Sequence, residues 1–295
     1  LPCANLLEVG PGTGVLTKYL LKRLSAVSYQ PSAEVPEKAT APPQLRTHNS
    51  QLTTQNSEPG TLNQEQRTKN KTCPDLSGEQ RTKPVPIYRE NKDLSRFLAL
   101  DVDRESIAYL KQTYPQHSAS FIEADFLKIN PEQYFDGCLT VIGNFPYNIS
   151  SQIFFKILDH VDLIPEIVCM LQKEVAERIA SPPGNKAYGI LSVLLQAWYR
   201  IEYLFTVNEH VFIPPPKVKS AVIRLTRNET TDLGCDPKAF KNIIKTAFNQ
   251  RRENIEECAE VIQFQSITQI RIIIDQRAEQ LGVEDYIFLT QSALF

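Results

Sequence analysis

Over most of this chain, short apolar runs alternate with segments whose apolar positions recur every three or four residues. Residues 6–9, 97–100, 120–124, 139–142 and 167–171 are runs of strand length and composition. Between them, residues 15–23 have helical spacing, and Ile107, Leu110 and Lys111 belong to a second helix closed by Tyr114-Pro115. Ser151 is placed to cap a helix whose buried face is Ile153, Phe154, Ile157 and Leu158. Residues 189–199 read as a largely apolar helix, and 203–207 and 221–225 as the last two strands, joined by a loop containing Pro214-Pro215-Pro216. Such alternation predicts an α/β fold with a doubly wound sheet. From about Cys235 onward no strand pattern remains, so residues 229–295 are expected to form a small helical domain and residues 1–228 the sheet domain.

Residues 25–93 break the pattern. They hold eight of the 20 prolines, only two aromatics (Tyr29 and Tyr88), and a polar remainder without periodicity. That composition buries too little apolar surface to offset its ordering entropy, so a disordered insertion is expected. With 32 basic and 34 acidic residues the net charge is -2, so any nucleic-acid contact must come from a local concentration of positive charge. No apolar run reaches the roughly 20 residues needed to span a bilayer, and no membrane association is expected. The six cysteines lack metal-ligand spacing, which points away from zinc or any other metal and from a disulfide scaffold, and toward a reducing, cytoplasmic setting. A chain that begins at Leu1, with a strand starting by Leu6, is expected to lack an N-terminal segment.

Three motifs carry candidate chemistry. Glu8-Val9-Gly10-Pro11-Gly12-Thr13-Gly14 lies between a strand and a helix, where glycines let the backbone turn tightly beside a ligand. A dinucleotide fingerprint would want glycine at position 15, which is Val15. Glycines at 10, 12 and 14 after Glu8 instead fit the turn that binds S-adenosyl-L-methionine. Asp101 ends the second strand, where a carboxylate can accept ribose hydroxyls, and Asp103 caps the next helix. Asp125 ends the third strand, where an acceptor can take the exocyclic amine of adenine. At the end of the fourth strand stands Asn144-Phe145-Pro146-Tyr147, of the form N-x-P-Y. The N6 lone pair of adenine is delocalised into the ring, so its amine is a poor nucleophile. The Asn144 side-chain oxygen and the Phe145 carbonyl are two acceptors that can favour a pyramidal amine. Pro146 keeps Phe145 out of the helical region, and Tyr147 offers a face on which an extruded base stacks.

With these motifs on the page, residues 7–21, 98–104, 121–126, 141–155 and 211–225 resemble the ribosomal RNA adenine N6,N6-dimethyltransferases. The stretches 172–178, 214–220 and 246–252 are similar to that family too. The resemblance implies a Rossmann-like, seven-stranded S-adenosylmethionine-dependent methyltransferase domain with a small C-terminal helical domain. It also implies that a monomer dimethylates two adjacent adenosines of small-subunit rRNA in the assembling small ribosomal subunit. By it, Glu8, Gly10, Gly12, Gly14, Asp101, Asp125 and Asn144 would bind the cofactor. Phe212 would sandwich the base against Tyr147, and Lys217, Lys219, Arg251 and Arg252 would lie along the RNA. Two rivals remain: a large-subunit rRNA adenine methyltransferase of the macrolide-resistance type, and a methyltransferase-fold transcription or assembly factor without turnover. The sequence departs from the family in the insertion before Asp101 and in the acidic residues Glu253, Glu256 and Glu257 after Arg252.

Overall fold

The computed structural model describes residues 3–28, 96–212, 215–249 and 276–293. Within them, strands β1 (Asn5–Val9), β2 (Arg96–Asp101), β3 (Phe121–Glu123), β4 (Leu139–Asn144), β5 (Glu166–Gln172), β6 (Tyr199–Val207) and β7 (Ser220–Arg227) form one sheet. Its order is β3-β2-β1-β4-β5-β7-β6. The first five strands are parallel, and β7 lies antiparallel to both β5 and β6. The helices are α1 (Val15–Ser28), α2 (Arg104–Thr113), α3 (Ser150–Leu158), α4 (Lys173–Ala180), α5 (Ile190–Gln196), α6 (Pro237–Asn249) and α7 (Val283–Ser292).

The continuous apolar runs follow from coverage on both faces. Side chains alternate across a strand. Accordingly Leu6, Phe97 and Ala99 join one core with Leu21 of α1 and Ile107 and Leu110 of α2. Leu7, Val9, Leu98, Leu100 and Val141 join the opposite core with Ile153, Phe154 and Ile157 of α3. A further cluster gathers α6 and α7 through Phe240, Ile243, Ile244, Tyr286 and Leu289. Helix α5 is apolar nearly all round because it serves two cores: Leu191 and Leu195 face the sheet, while Val193 and Leu194 face α6 and α7.

Several expectations need correction. Helix α1 continues to Ser28 and so takes in the first four residues of the stretch expected to be disordered; the remainder of that stretch, 29–93, lies outside the described residues. Ser151 is not the α3 cap. The cap position is Ile149, and Ser150 Oγ donates to the Tyr147 carbonyl at 3.3 Å. Strand β6 starts at Tyr199, where an extended apolar helix was expected. Arg200 and Glu202 alternate with Tyr199, Ile201 and Tyr203 in a strand's period of two, which directly follows the apolar run of α5; Tyr199 is buried and donates to the Ile164 carbonyl at 2.8 Å. Helix α4 escaped the periodicity reading because only Ala176 and Ile179 of its eight residues are buried. Cys3 and Cys138 are disulfide-bonded. Their wide separation hid the pairing, but the register Asn5 to Leu139 brings the starts of β1 and β4 together.

At Gly143 on β4, an added Cβ would press on the Val9 carbonyl oxygen of β1, and that backbone cannot yield cheaply. Gly143→Ala is therefore expected to lose about 1–3 kcal/mol through overpacking, seen as a lower urea midpoint with an unchanged slope.

Candidate functional site

The chain runs outward from β1 through β2 to β3, then returns to the other side of β1 as β4. Where such a reversal occurs, the connections leave opposite faces and a crevice opens at the carboxyl ends of the strands. The motifs converge at this crevice. A cavity of about 780 Å³ is lined by Glu8, Gly10, Gly12, Gly143, Asn144 and Phe212, with Val168, Cys169, Met170 and Val222 among its other walls.

The glycine turn is held from two sides. Gly10 N–H donates to the Leu100 carbonyl at 2.9 Å, and Gly12 N–H donates to Asp101 Oδ2 at 3.1 Å. Gly10, Gly12 and Gly14 have φ of 70°, 52° and 82°, a region that L side chains rarely adopt. At Gly14 a Cβ would also lie 2.6 Å from Leu110 Cδ2 of α2, so that leucine would have to shift. Asp101 Oδ1 accepts from Asp103 N–H at 3.0 Å, which aims the carboxylate along the turn. Asp103 caps α2 through Glu105 and Ser106, and those hydrogen bonds hold its carboxyl below the usual range.

Glu8 is buried at the floor of the crevice, where its Oε2 accepts from Thr17 Oγ1 of α1 at 2.8 Å. Burial pushes its pKa up from 4.5 to about 7 against the opposing Thr17 hydrogen bonds, and no charged neighbour contributes to the shift.

Asn144 ends β4 with an exposed side chain, and its carbonyl oxygen lies 3.4 Å from where a Cβ on Gly10 would sit. Phe145 turns its ring into the core, edge-on to Phe154 at 5.7 Å, so only its backbone is available to the crevice. Its N–H donates to the Met170 carbonyl at 2.9 Å. Pro146 is exposed, and Tyr147 is half-buried with its hydroxyl 2.5 Å from Ser220 Oγ on β7. Asp125 stands just beyond β3, accepts from Leu127 N–H at 3.0 Å and pairs with Lys128 at 3.4 Å. Asp101, Asp125 and Tyr147 are near this crevice in the fold but do not line the cavity itself. Lys217 and Lys219 are exposed on the segment entering β7, while Arg251 and Arg252 lie outside the described residues.

Sequence reasoning missed Thr17 and Ser220, which act on other side chains, and the β5 wall of Val168, Cys169 and Met170. The only signal for that wall is the position of β5 beside β4. Among the described residues, no group of three or more histidine, cysteine, aspartate or glutamate residues could hold a metal, and no helix is long and apolar enough to cross a membrane.

Comparison with known proteins adds a family model described as ribosomal RNA adenine dimethylase, which matches residues 91–293. Over 193 residues the chain is 60% identical to a protein of Bacteroides fragilis named ribosomal RNA small subunit methyltransferase A, covering 65% of this chain and 71% of that protein. Its fold is similar to that of a dimethyladenosine transferase from Plasmodium falciparum, with 21% identity, a TM-score of 0.55, and coverage of 67% of this chain and 84% of that one. It is also similar to the 23S rRNA methyltransferase ErmE, with 16% identity, a TM-score of 0.58, and coverage of 99% and 91%. The last two likenesses speak to the fold alone.

The raised Glu8 pKa makes stability depend on pH. The folded chain holds this proton where the unfolded chain has released it, so the stabilisation is complete below 4.5 and is lost as pH rises toward about 7. The loss amounts to about 3 kcal/mol. Glu8→Gln, which stays neutral, is expected to flatten this decline and to unfold at higher urea than the parent at pH 8. Parallel urea titrations of the two proteins at pH 5 and pH 8 provide the check.

Proposed function

Because the chain belongs to the ribosomal RNA adenine dimethylase family, we propose that it carries methyl groups from S-adenosyl-L-methionine to adenine N6 of small-subunit rRNA, twice on each of two adjacent adenosines. The observation that carries this reading is the meeting of Asn144 with the Gly10 turn on one cavity wall. The 60% identity to a small-subunit rRNA methyltransferase supports that target over large-subunit rRNA. The N-x-P-Y sequence standing at an open cavity supports turnover over binding alone.

The crevice fits such a cofactor: it has a turn with glycine at positions 10, 12 and 14, a fixed carboxylate at Asp101 and ample volume. S-adenosyl-L-methionine, when bound, supplies a methyl group on a cationic sulfur. Gly10, Gly12 and Gly14 would let the backbone approach it, Asp101 would accept ribose hydroxyls, and Asp125 would accept the adenine amine. Glu8 would favour a cationic ligand in its ionised form, since burial alone disfavours that charge. Asn144 and the Phe145 carbonyl would hold the target amine hydrogens, with Tyr147 and Phe212 gripping the extruded base between them. Catalysis then rests on positioning and on acceptors matched to developing positive charge.

Residues 1–228 would form the catalytic domain and 229–295 a helical RNA-binding domain; α6 and α7 gather a cluster of their own, which α5 of the first domain joins through Val193 and Leu194. Lys217, Lys219, Arg251 and Arg252 would add phosphate contacts, which raise affinity without reading sequence. We read the protein as a cytoplasmic monomer.

Asn144→Ala is expected to lower single-turnover methyl transfer about 10²–10³-fold, by analogy with loss of one preorganised polar contact. RNA affinity and its salt dependence should stay unchanged, because the phosphate contacts are untouched. Single-turnover assays with small-subunit rRNA, paired with binding at two salt concentrations, test this. Normal turnover would overturn the proposed mechanism, and lost RNA affinity would make Asn144 a structural residue.

A further inference from the structure

We propose that Ser220 is a positioning residue that sets the Tyr147 ring as a preorganised stacking face for the target base. The inference rests on the proposed function and gives a role to a residue to which the sequence motifs assigned none.

Ser220 is fully buried and opens β7. Its backbone is fixed on both sides, in register with Gln172 of β5 and Val207 of β6. Its hydroxyl oxygen therefore occupies a defined point in the sheet, 2.5 Å from the Tyr147 hydroxyl, and either oxygen can donate. Tyr147 itself sits on the short connection between β4 and α3, half-buried, where an unanchored ring would be free to rotate about two side-chain bonds. The hydrogen bond removes that freedom before RNA arrives, so the stacking geometry need not be ordered anew for each base.

Ser220 also ends the segment that begins at Phe212 and carries Lys217 and Lys219. One hydroxyl thus ties the loop bearing one aromatic partner to the strand that terminates the loop bearing the other. Lys219 strengthens the same junction, since its carbonyl accepts from Lys173 N–H at 2.9 Å.

The test is a double-mutant cycle of S220A and Y147F in the full chain. Both substitutions remove one hydroxyl and leave the buried carbon skeleton in place. A neutral hydrogen bond of ordinary strength corresponds to roughly a fivefold effect. Each single variant is expected to lower the single-turnover methyl-transfer rate about fivefold, and the double variant no further, because both delete the same bond. The KM for RNA and the affinity for S-adenosyl-L-methionine should be unchanged. RNA with 2-aminopurine at the target position should show a weaker extruded-base fluorescence signal with S220A than with the parent chain. Parental rates in S220A, or losses that multiply in the double variant, would overturn the inference. So would a loss that appears equally in cofactor affinity, since that marks a general structural defect. Absence of methyl transfer by the parent chain would instead overturn the proposed function. The 2-aminopurine signal, which needs no chemistry, would then still decide Ser220: equal signals from parent and S220A would contradict it.

Discussion

The close approach of β4 to β1 is the constraint on which the crevice depends. Gly143 lies against the Val9 carbonyl with no room for a side chain, and one residue later the Asn144 carbonyl reaches the Gly10 turn. Parallel pairing with matched register carries this contact along the strands, from Asn5 opposite Leu139 to Val9 opposite Gly143. A wider spacing between these two strands would separate the glycine turn from the N-x-P-Y segment. Two motifs far apart in sequence would then no longer share a wall. The reversal of strand order at β1 opens the crevice, and the missing β-carbons at Gly143 and Gly10 keep its walls close.

Much of this was legible in the residues. The five parallel strands announce themselves as short apolar runs because both faces of the sheet are covered, by α1 and α2 on one side and α3 on the other. The glycine turn, Asp101 and Asn144 were legible because each stands at a strand end, where backbone geometry and function coincide. What stayed hidden depends on partners distant in sequence. Tyr199 begins an edge strand so soon after the apolar helix α5 that its first residue reads as part of that helix, and α4 has too few buried positions to show a period. The Cys3–Cys138 bond follows from sheet order, which cysteine spacing does not encode. Thr17 and Ser220 are unremarkable in sequence; their importance lies in the single side chain each one touches, Glu8 and Tyr147.

The polar groups around the crevice divide into those already engaged and those open to a ligand. Asp103 is fully committed as a helix cap, and Asp125 is partly held by Leu127 and Lys128. Asp101 uses both oxygens on the backbone of its own neighbourhood, which fixes its direction without burying it. Glu8 is the outlier: a carboxyl at the cavity floor with Thr17 as its hydrogen-bond partner and a pKa raised to about 7. In the proposed reaction the substrate brings a poor nucleophile and the cofactor a positive charge, so a site of fixed acceptors and apolar walls suits both needs. The walls from β5 and β7 bring Val168, Met170 and Val222 to the cavity.

The central claim is that this crevice methylates adenine N6 of small-subunit rRNA. The most direct measurement is mass spectrometry of nucleosides after the chain is incubated with S-adenosyl-L-methionine and either small-subunit rRNA, an assembling small subunit or large-subunit rRNA. The account predicts N6,N6-dimethyladenosine at two adjacent positions of the small-subunit substrates and none in large-subunit rRNA. Dimethyladenosine formed in large-subunit rRNA, or no methylated adenosine in any of the three, would contradict it.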